Sequence, residues 1–139
     1  MDTTTTSKNT FVLNTNCGFT VIPNEIWDLV IGSNLPPAGK LLILLVYRFS
    51  MGYKNQAVII ETNELVKLLP INHSRIPRLI SWMVELHILN GGASQKRANG
   101  NILTYELSVN LNFSEWDISY RSTNKTVIYT LHKRAIAVR

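Results

Sequence analysis

Three observations predict a mainly α-helical chain carrying a small β-hairpin, an α+β fold class. Two apolar segments each open with proline, at Pro23 and at Pro36-Pro37. A third segment repeats apolar residues at helical spacing behind a short polar turn, from Ile76 to Leu86. An Asn99-Gly100 pair then precedes a stretch in which apolar and polar residues alternate. The first two patterns belong to helices and the last to a hairpin.

The elements follow in order. Residues 23–31 place Ile26, Leu29 and Val30 at i, i+3, i+4, a short amphipathic helix that tolerates Pro23 in its first turn. Gly32-Ser33-Asn34 breaks it. Proline suits the first helical position, where its missing N–H is not needed, so a second helix runs from about Pro37 to Ser50. Its LLILLVY core is apolar on most sides, which marks it as the buried central helix, and Met51-Gly52 ends it. Residues 57–60 (AVII) predict a short strand. Thr62 is the expected N-cap of a helix from Asn63 to Leu69, with Glu64 in its first turn and Pro70 as its stop.

The third long helix is expected to end near Leu89. Ile76, Leu79, Ile80, Met83 and Leu86 form its apolar stripe, and Arg75, Arg78, Ser81, Trp82 and Glu85 its outer face. Pro77 decides where it starts. An Asn72 cap would put Pro77 at the fifth helical position and forfeit a hydrogen bond, whereas a Ser74 cap places it in the first turn. Ser74 is therefore the expected cap, with Asn72 and His73 in the turn. His87 suits a helix C-terminus, where histidine tolerates left-handed geometry. Asn99-Gly100 predicts a two-residue type I′ turn. After it, Leu103, Tyr105, Leu107 and Val109 point one way, while Ile102, Thr104, Glu106 and Ser108 point the other. Residues 127–131 (VIYTL) are a candidate further strand.

Helix, helix, strand, helix, tight turn, helix, hairpin is the order of a winged helix-turn-helix. The 139-residue chain divides into a disordered leader (1–17), the winged-helix domain (18–110) and a C-terminal extension (111–139) that packs on the domain or leads to a further region. The net charge of +5 lies wholly in the second half: residues 1–71 are balanced, and residues 72–139 hold nine Lys/Arg against four acids. A neutral scaffold followed by a basic surface suits a polyanionic partner. Arg75 and Arg78 fall on the helix that a major groove admits, and Lys96 and Arg97 on a hairpin that reaches an adjacent phosphate or minor groove. The candidate DNA-binding residues are Asn72, His73, Ser74, Arg75, Arg78, Ser81, Lys96, Arg97 and Asn99. Trp82 is read as a packing residue.

The opening Phe19, Thr20, Ile22, Pro23, Asn24, Glu25, Ile26, with Tyr47 to Lys54 at the end of the second helix, resembles the N-terminal origin-binding domain of lambdoid phage replication protein O and related phage or satellite initiators. The recognition segment Ile71 to Ile80 is similar to that family's as well, and the resemblance covers roughly residues 18–109. It implies an initiator that binds repeated origin sequences, as a homodimer, and recruits replicative helicase or its loader through a region absent here. Pro36-Pro37, Pro70 and His87 depart from the family's small residues and bear on how the recognition helix approaches DNA.

Other chemistry finds little support. One cysteine, Cys17, gives neither a disulfide framework nor a cysteine zinc site. His73, His87 and His132 lack metal spacing, so no metal or cofactor is expected. No phosphate loop, zinc-protease motif or nucleophile elbow occurs, so the chain is not expected to be an enzyme. No apolar run reaches the roughly 18 residues of a membrane span and the N-terminus has no apolar signal region, so the expected location is the cytoplasm, which the resemblance makes that of a bacterial host. A transcriptional regulator, a targeting module fused to a nuclease, and a protein-binding module remain as alternatives.

Overall fold

A computed structural model describes residue 18, residues 20–51, 56–118 and the helix 122–138, the last with side chains from 127 to 137. The proposed leader, residues 1–17, lies outside the described residues. Among the described residues the architecture is α+β: five α-helices and one three-stranded antiparallel sheet.

Helix α1 (Asn24–Gly32) starts behind Pro23, whose carbonyl accepts the N–H groups of Ile26 and Trp27. It buries Ile26 and Leu29 completely. Helix α2 (Pro37–Phe49) carries Pro37 at its first position and fully buries Leu42, Ile43 and Val46. It is the central helix that its composition predicted. The Tyr47 hydroxyl donates to the Val21 carbonyl at 3.0 Å, pinning the segment before α1 to the far end of α2.

Strand β1 (Val58–Glu61) leads directly into α3 (Thr62–Leu68). Here the expected cap is displaced by one residue. The helix begins at Thr62, and the Glu61 N–H donates to the Glu64 carboxylate at 2.9 Å. Thr62 is buried instead, and its hydroxyl donates to the Ile102 carbonyl at 2.8 Å. A buried backbone acceptor needs a partner, and that demand outweighs a cap that Glu61 and Glu64 supply between them. Leu69, forced extended ahead of Pro70, ends α3.

Neither expected cap starts the next helix. His73–Arg75 form a 3₁₀ turn closed by Arg75 N–H on the Asn72 carbonyl at 2.9 Å, and α4 (Ile76–Glu85) follows. Ser74 lies inside that turn and caps nothing. This third solution sets Pro77 at the second helical position, where an N–H has no intrahelical partner to lose. Ile76, Leu79, Ile80 and Met83 face the core as the stripe predicted, with Gly39 of α2 packed against Leu79 and Met83. The helix stops at Glu85, short of Leu89. His87 stands at φ +61, its N–H donates to Val84 O, and Ile88 N–H reaches Met83 O. That is a complete Schellman ending with histidine in the place glycine usually takes.

Strands β2 (Leu89–Lys96) and β3 (Ile102–Val109) make the hairpin, with β3 central in the order β1-β3-β2. Tyr105, Leu107 and Val109 are buried as the alternation requires, but Leu103 is only half-buried and Ile102, expected to face outward, packs on the core. Thr104, expected to face outward, is buried too, sharing a hydrogen bond of 2.6 Å with Ser94. The loop is not a two-residue type I′ turn. Asn99 has no positive φ; only Gly100 does, at +88. Gly100 N–H bonds Arg97 O, and Arg97 N–H bonds Asn101 O, so three residues, Ala98 to Gly100, are closed by a single left-handed glycine. The slipped pairing between Ala93, Gln95 and Lys96 accommodates this longer loop.

After β3 the chain folds back. Asn110 N–H donates to Ile88 O, the Asn110 amide to His87 O, and Asp117 N–H to Leu86 O. Phe113 and Trp116 meet edge to face at 4.8 Å and pack on the core, with the Trp116 indole N–H on Asn110 O. Residues 127–131, proposed as a strand, lie instead in helix α5 (Ser122–Val138). Its seventeen residues contain no glycine or proline, and a helix closes its own backbone hydrogen bonds without a sheet edge. The sequence α1-α2-β1-α3-α4-β2-β3, with its 1-3-2 sheet, is compatible with the expected winged helix-turn-helix.

Candidate nucleic-acid interface

Burial of one stripe of α4 dictates what the opposite side shows. With Ile76, Leu79, Ile80 and Met83 inward, Pro77, Arg78, Ser81, Trp82 and Glu85 are exposed. Arg75, at the end of the 3₁₀ turn, continues this face, and Asn72, His73 and Ser74 stand exposed just before it. On the hairpin, Lys96 ends β2 and Arg97 closes the loop with both of its backbone groups, which fixes its position and leaves its side chain outside. The Asn99 side-chain oxygen accepts the Asn101 N–H at 3.0 Å, so it shapes the loop while its amide nitrogen stays available to donate to a ligand.

All nine candidate residues are exposed, and six of them line two concavities. A shallow groove of about 810 Å³ runs along α4, bordered by Arg75, Arg78 and Ser81 and floored by Pro36, Ile71, Pro77 and Trp82. A smaller cleft of about 130 Å³ brings His73 together with Arg97 and Asn99 of the hairpin loop. Asn72 and Ser74 lie on the turn between them, and Lys96 lines neither. Three polar residues outside the candidate set also line these walls. Asn63 and Asn101 line the cleft, and Glu85 lines the groove. Asn101, next to the Asn99-Gly100 signal, was the most accessible of the three; nothing local marks Asn63 as a neighbour of the hairpin. Trp82 is 38 % exposed and lines both the α4 groove and a pocket against Asn34, Leu35 and Ile118, so it both packs and shows an edge.

Charge follows the same division. Arg75, Arg78, Lys96 and Arg97 have no acidic partner among the described residues, so the face carries four uncompensated cations. The Glu64 carboxylate is spent on the start of α3, while Glu61 and Glu85 border the two concavities. Among the described residues no group of three His, Cys, Asp or Glu could hold a metal ion, and no helix is long and apolar enough to cross a membrane.

The surface is thus a convex helix beside a basic loop, with shallow grooves between them, a shape suited to an extended anionic ligand. Comparison with known families agrees with the direction of this argument. The family described as bacteriophage replication protein O matches residues 12–116, from the segment before α1 to the return at Trp116. No curated protein and no solved structure matches the chain. The match covers most of the chain and brings with it a role in phage replication initiation: this chain belongs to the bacteriophage replication protein O family.

Proposed function

We propose that the chain is a winged helix-turn-helix that binds double-stranded DNA sequence-specifically, at repeated sites of a phage-type replication origin. In this reading α3 and α4 are the helix-turn-helix, α4 enters the major groove, and the β2–β3 loop is the wing. The observation that carries it is the cleft in which His73, ahead of α4, meets Arg97 and Asn99 of the hairpin. A helix and a loop that share one cleft address one stretch of duplex. Arg78 and Ser81 face base edges; Arg75, Lys96 and Arg97 contact phosphates, which supply most of the affinity. Asn72 and Ser74 bond the backbone where the helix meets the groove. No bond is made or broken by the domain in this reading. Helicase or loader is recruited by another part of the initiator.

Selection of bound duplexes from random DNA at defined salt tests the proposal. The expected result is one motif, recurring at even spacing in the DNA around its own gene. Three phosphate contacts by cations predict a slope near −2.7 for log K against log salt, a loss of roughly 40-fold between 50 and 200 mM. Binding that is indifferent to sequence would overturn the specific reading. A single palindrome at a promoter would replace the origin with a regulatory site.

A further inference from the structure

The chain contains two Asn-Gly pairs, Asn90-Gly91 in β2 and Asn99-Gly100 in the hairpin loop. Asparagine followed by glycine carries its own chemistry. With no side chain in the way, the glycine nitrogen reaches the asparagine side-chain carbonyl carbon and closes a five-membered ring. Closure needs a peptide free to rotate and a nitrogen that water can deprotonate, and the two pairs differ in both.

Gly91 is clamped. It stands opposite Leu107 in the ladder, backed so closely onto Glu106 that a Cβ would lie 2.0 Å from the carbonyl oxygen. Turning the Asn90-Gly91 peptide would part β2 from β3. Gly100 pairs with no strand residue, a Cβ there would meet nothing within 4 Å, and both it and Asn99 are exposed. The Gly100 N–H bonds Arg97 O at 2.9 Å, a loop bond between two exposed residues, which opens at little cost. The Asn99 side chain is already bent for the attack. Its oxygen accepts the Asn101 N–H at 3.0 Å, closing a ring of atoms that contains the Gly100 nitrogen. The same bond draws charge from the carbonyl carbon and is aimed at the oxyanion that attack creates.

We infer that Asn99 is a site of spontaneous covalent modification, converting to aspartate and isoaspartate through a cyclic imide. The Gly100 nitrogen gives its proton to hydroxide and bonds to Asn99 Cγ. The bond from Cγ to the side-chain amide nitrogen breaks, and that nitrogen leaves as ammonia with a proton from water. Water then adds to one of the two imide carbonyls and breaks its bond to the Gly100 nitrogen. Opening at the side-chain carbonyl gives aspartate; opening at the backbone carbonyl gives isoaspartate, with the main chain running through the former side chain. One water enters and one ammonia leaves, with no change of oxidation state. Either product sets a carboxylate in the cleft that Asn99 shares with Arg97 and His73. The chemistry is independent of DNA binding; its consequence, weaker affinity because the new charge faces phosphate, rests on the function proposed above.

The full chain is incubated for days near pH 8.5, folded in one sample and in guanidinium chloride in another, then digested and its peptides weighed. In guanidinium both Asn-Gly peptides should gain a single mass unit, each resolving into two isomers. In the folded protein only the Asn99 peptide should do so, and faster at higher pH. Asn99→Gln, whose longer side chain disfavours the ring, assigns the gain to Asn99 by abolishing it. An Asn99 peptide that stays unmodified in the folded chain overturns the inference. So does an Asn90 peptide that keeps pace with it, or a gain that persists in Asn99→Gln. Asn99→Asp makes one product directly. It should bind the selected duplex roughly tenfold more weakly than Asn99→Ala at 0.1 M salt, the worth of about one phosphate contact. Equal binding by these two variants overturns the effect on affinity. A wild-type chain that binds no duplex overturns the DNA reading instead, and the peptide masses still decide the modification.

Discussion

Gly91→Ala is the sharpest single test of how the hairpin is built. Gly91 pairs with Leu107 at φ +109, and a Cβ placed there would stand 2.0 Å from the Glu106 carbonyl oxygen and 3.0 Å from its carbon. Both atoms are backbone of the central strand and cannot rotate away. Relief to an ordinary contact needs about 1 Å of separation between β2 and β3, which stretches the flanking ladder bonds beyond hydrogen-bond range. Two such bonds are worth about 2 kcal/mol, and a non-glycine residue held at this φ adds about 1–3 kcal/mol. The expected loss is about 3–5 kcal/mol, a large share of a domain's total stability, or roughly 10–20 °C in Tm. Gly92→Ala is the internal control. Its Cβ meets nothing within 4 Å and its φ is not positive, so the change should fall within about 0.5 kcal/mol of wild type. Urea denaturation of the two variants side by side measures the difference. If Gly91→Ala lies within 1 kcal/mol of Gly92→Ala, the close approach of the strands is refuted.

Three further outcomes are expected. His87→Gly removes a left-handed non-glycine residue from the Schellman ending and should raise stability by up to about 1 kcal/mol, read from the urea midpoint at unchanged m; a fall would show that the imidazole holds the corner in place. Burial pushes the Tyr105 hydroxyl above the usual tyrosine range, and among the described residues its oxygen has no partner. A raised folded pKa gives stability that is complete below the unfolded value of about 10 and is lost as pH rises beyond it. Tyr105→Phe should therefore be near neutral at pH 7 and should flatten the alkaline loss above about pH 10 in thermal melts; an unchanged alkaline limb removes Tyr105 as its source. Arg78→Ala should cost about 1–3 kcal/mol and relax one position of the selected motif if Arg78 reads a base, or cut the salt slope by about one if it touches phosphate. Quantitative binding at two salt concentrations separates these, and no effect on either excludes Arg78 from the interface.

Much of this was legible because the governing interactions are local. Pro23, Pro37 and Pro70 mark helix ends by their own geometry, and the stripe from Ile76 to Met83 follows from period alone. Where the sequence misled, a distant residue decided. Thr62 has every property of a cap, but the Ile102 carbonyl, forty residues away, claims its hydroxyl. Asn99-Gly100 fits two kinds of loop equally well, and the slipped register of β2 selects the three-residue one. At Pro77 the alternatives weighed were two α-helical caps, and the chain used a 3₁₀ turn that leaves the proline at no cost. Residues 127–131 look β-forming in isolation, yet lie mid-way in a long uninterrupted helix. The cations of the candidate interface were readable as a set. Their convergence was not, since only the folded hairpin brings Arg97 to His73.

The return of the chain after β3 has a mechanical side. Asn110 and Asp117 together clasp Leu86, His87 and Ile88, the corner where α4 turns into β2. Those bonds fall on the junction between the helix and the hairpin, from the opposite end of the central strand. The return segment therefore acts as a brace: the hairpin cannot swing relative to α4 without parting hydrogen bonds to three consecutive corner residues, so the angle between helix and hairpin is set by the fold and not left to the ligand.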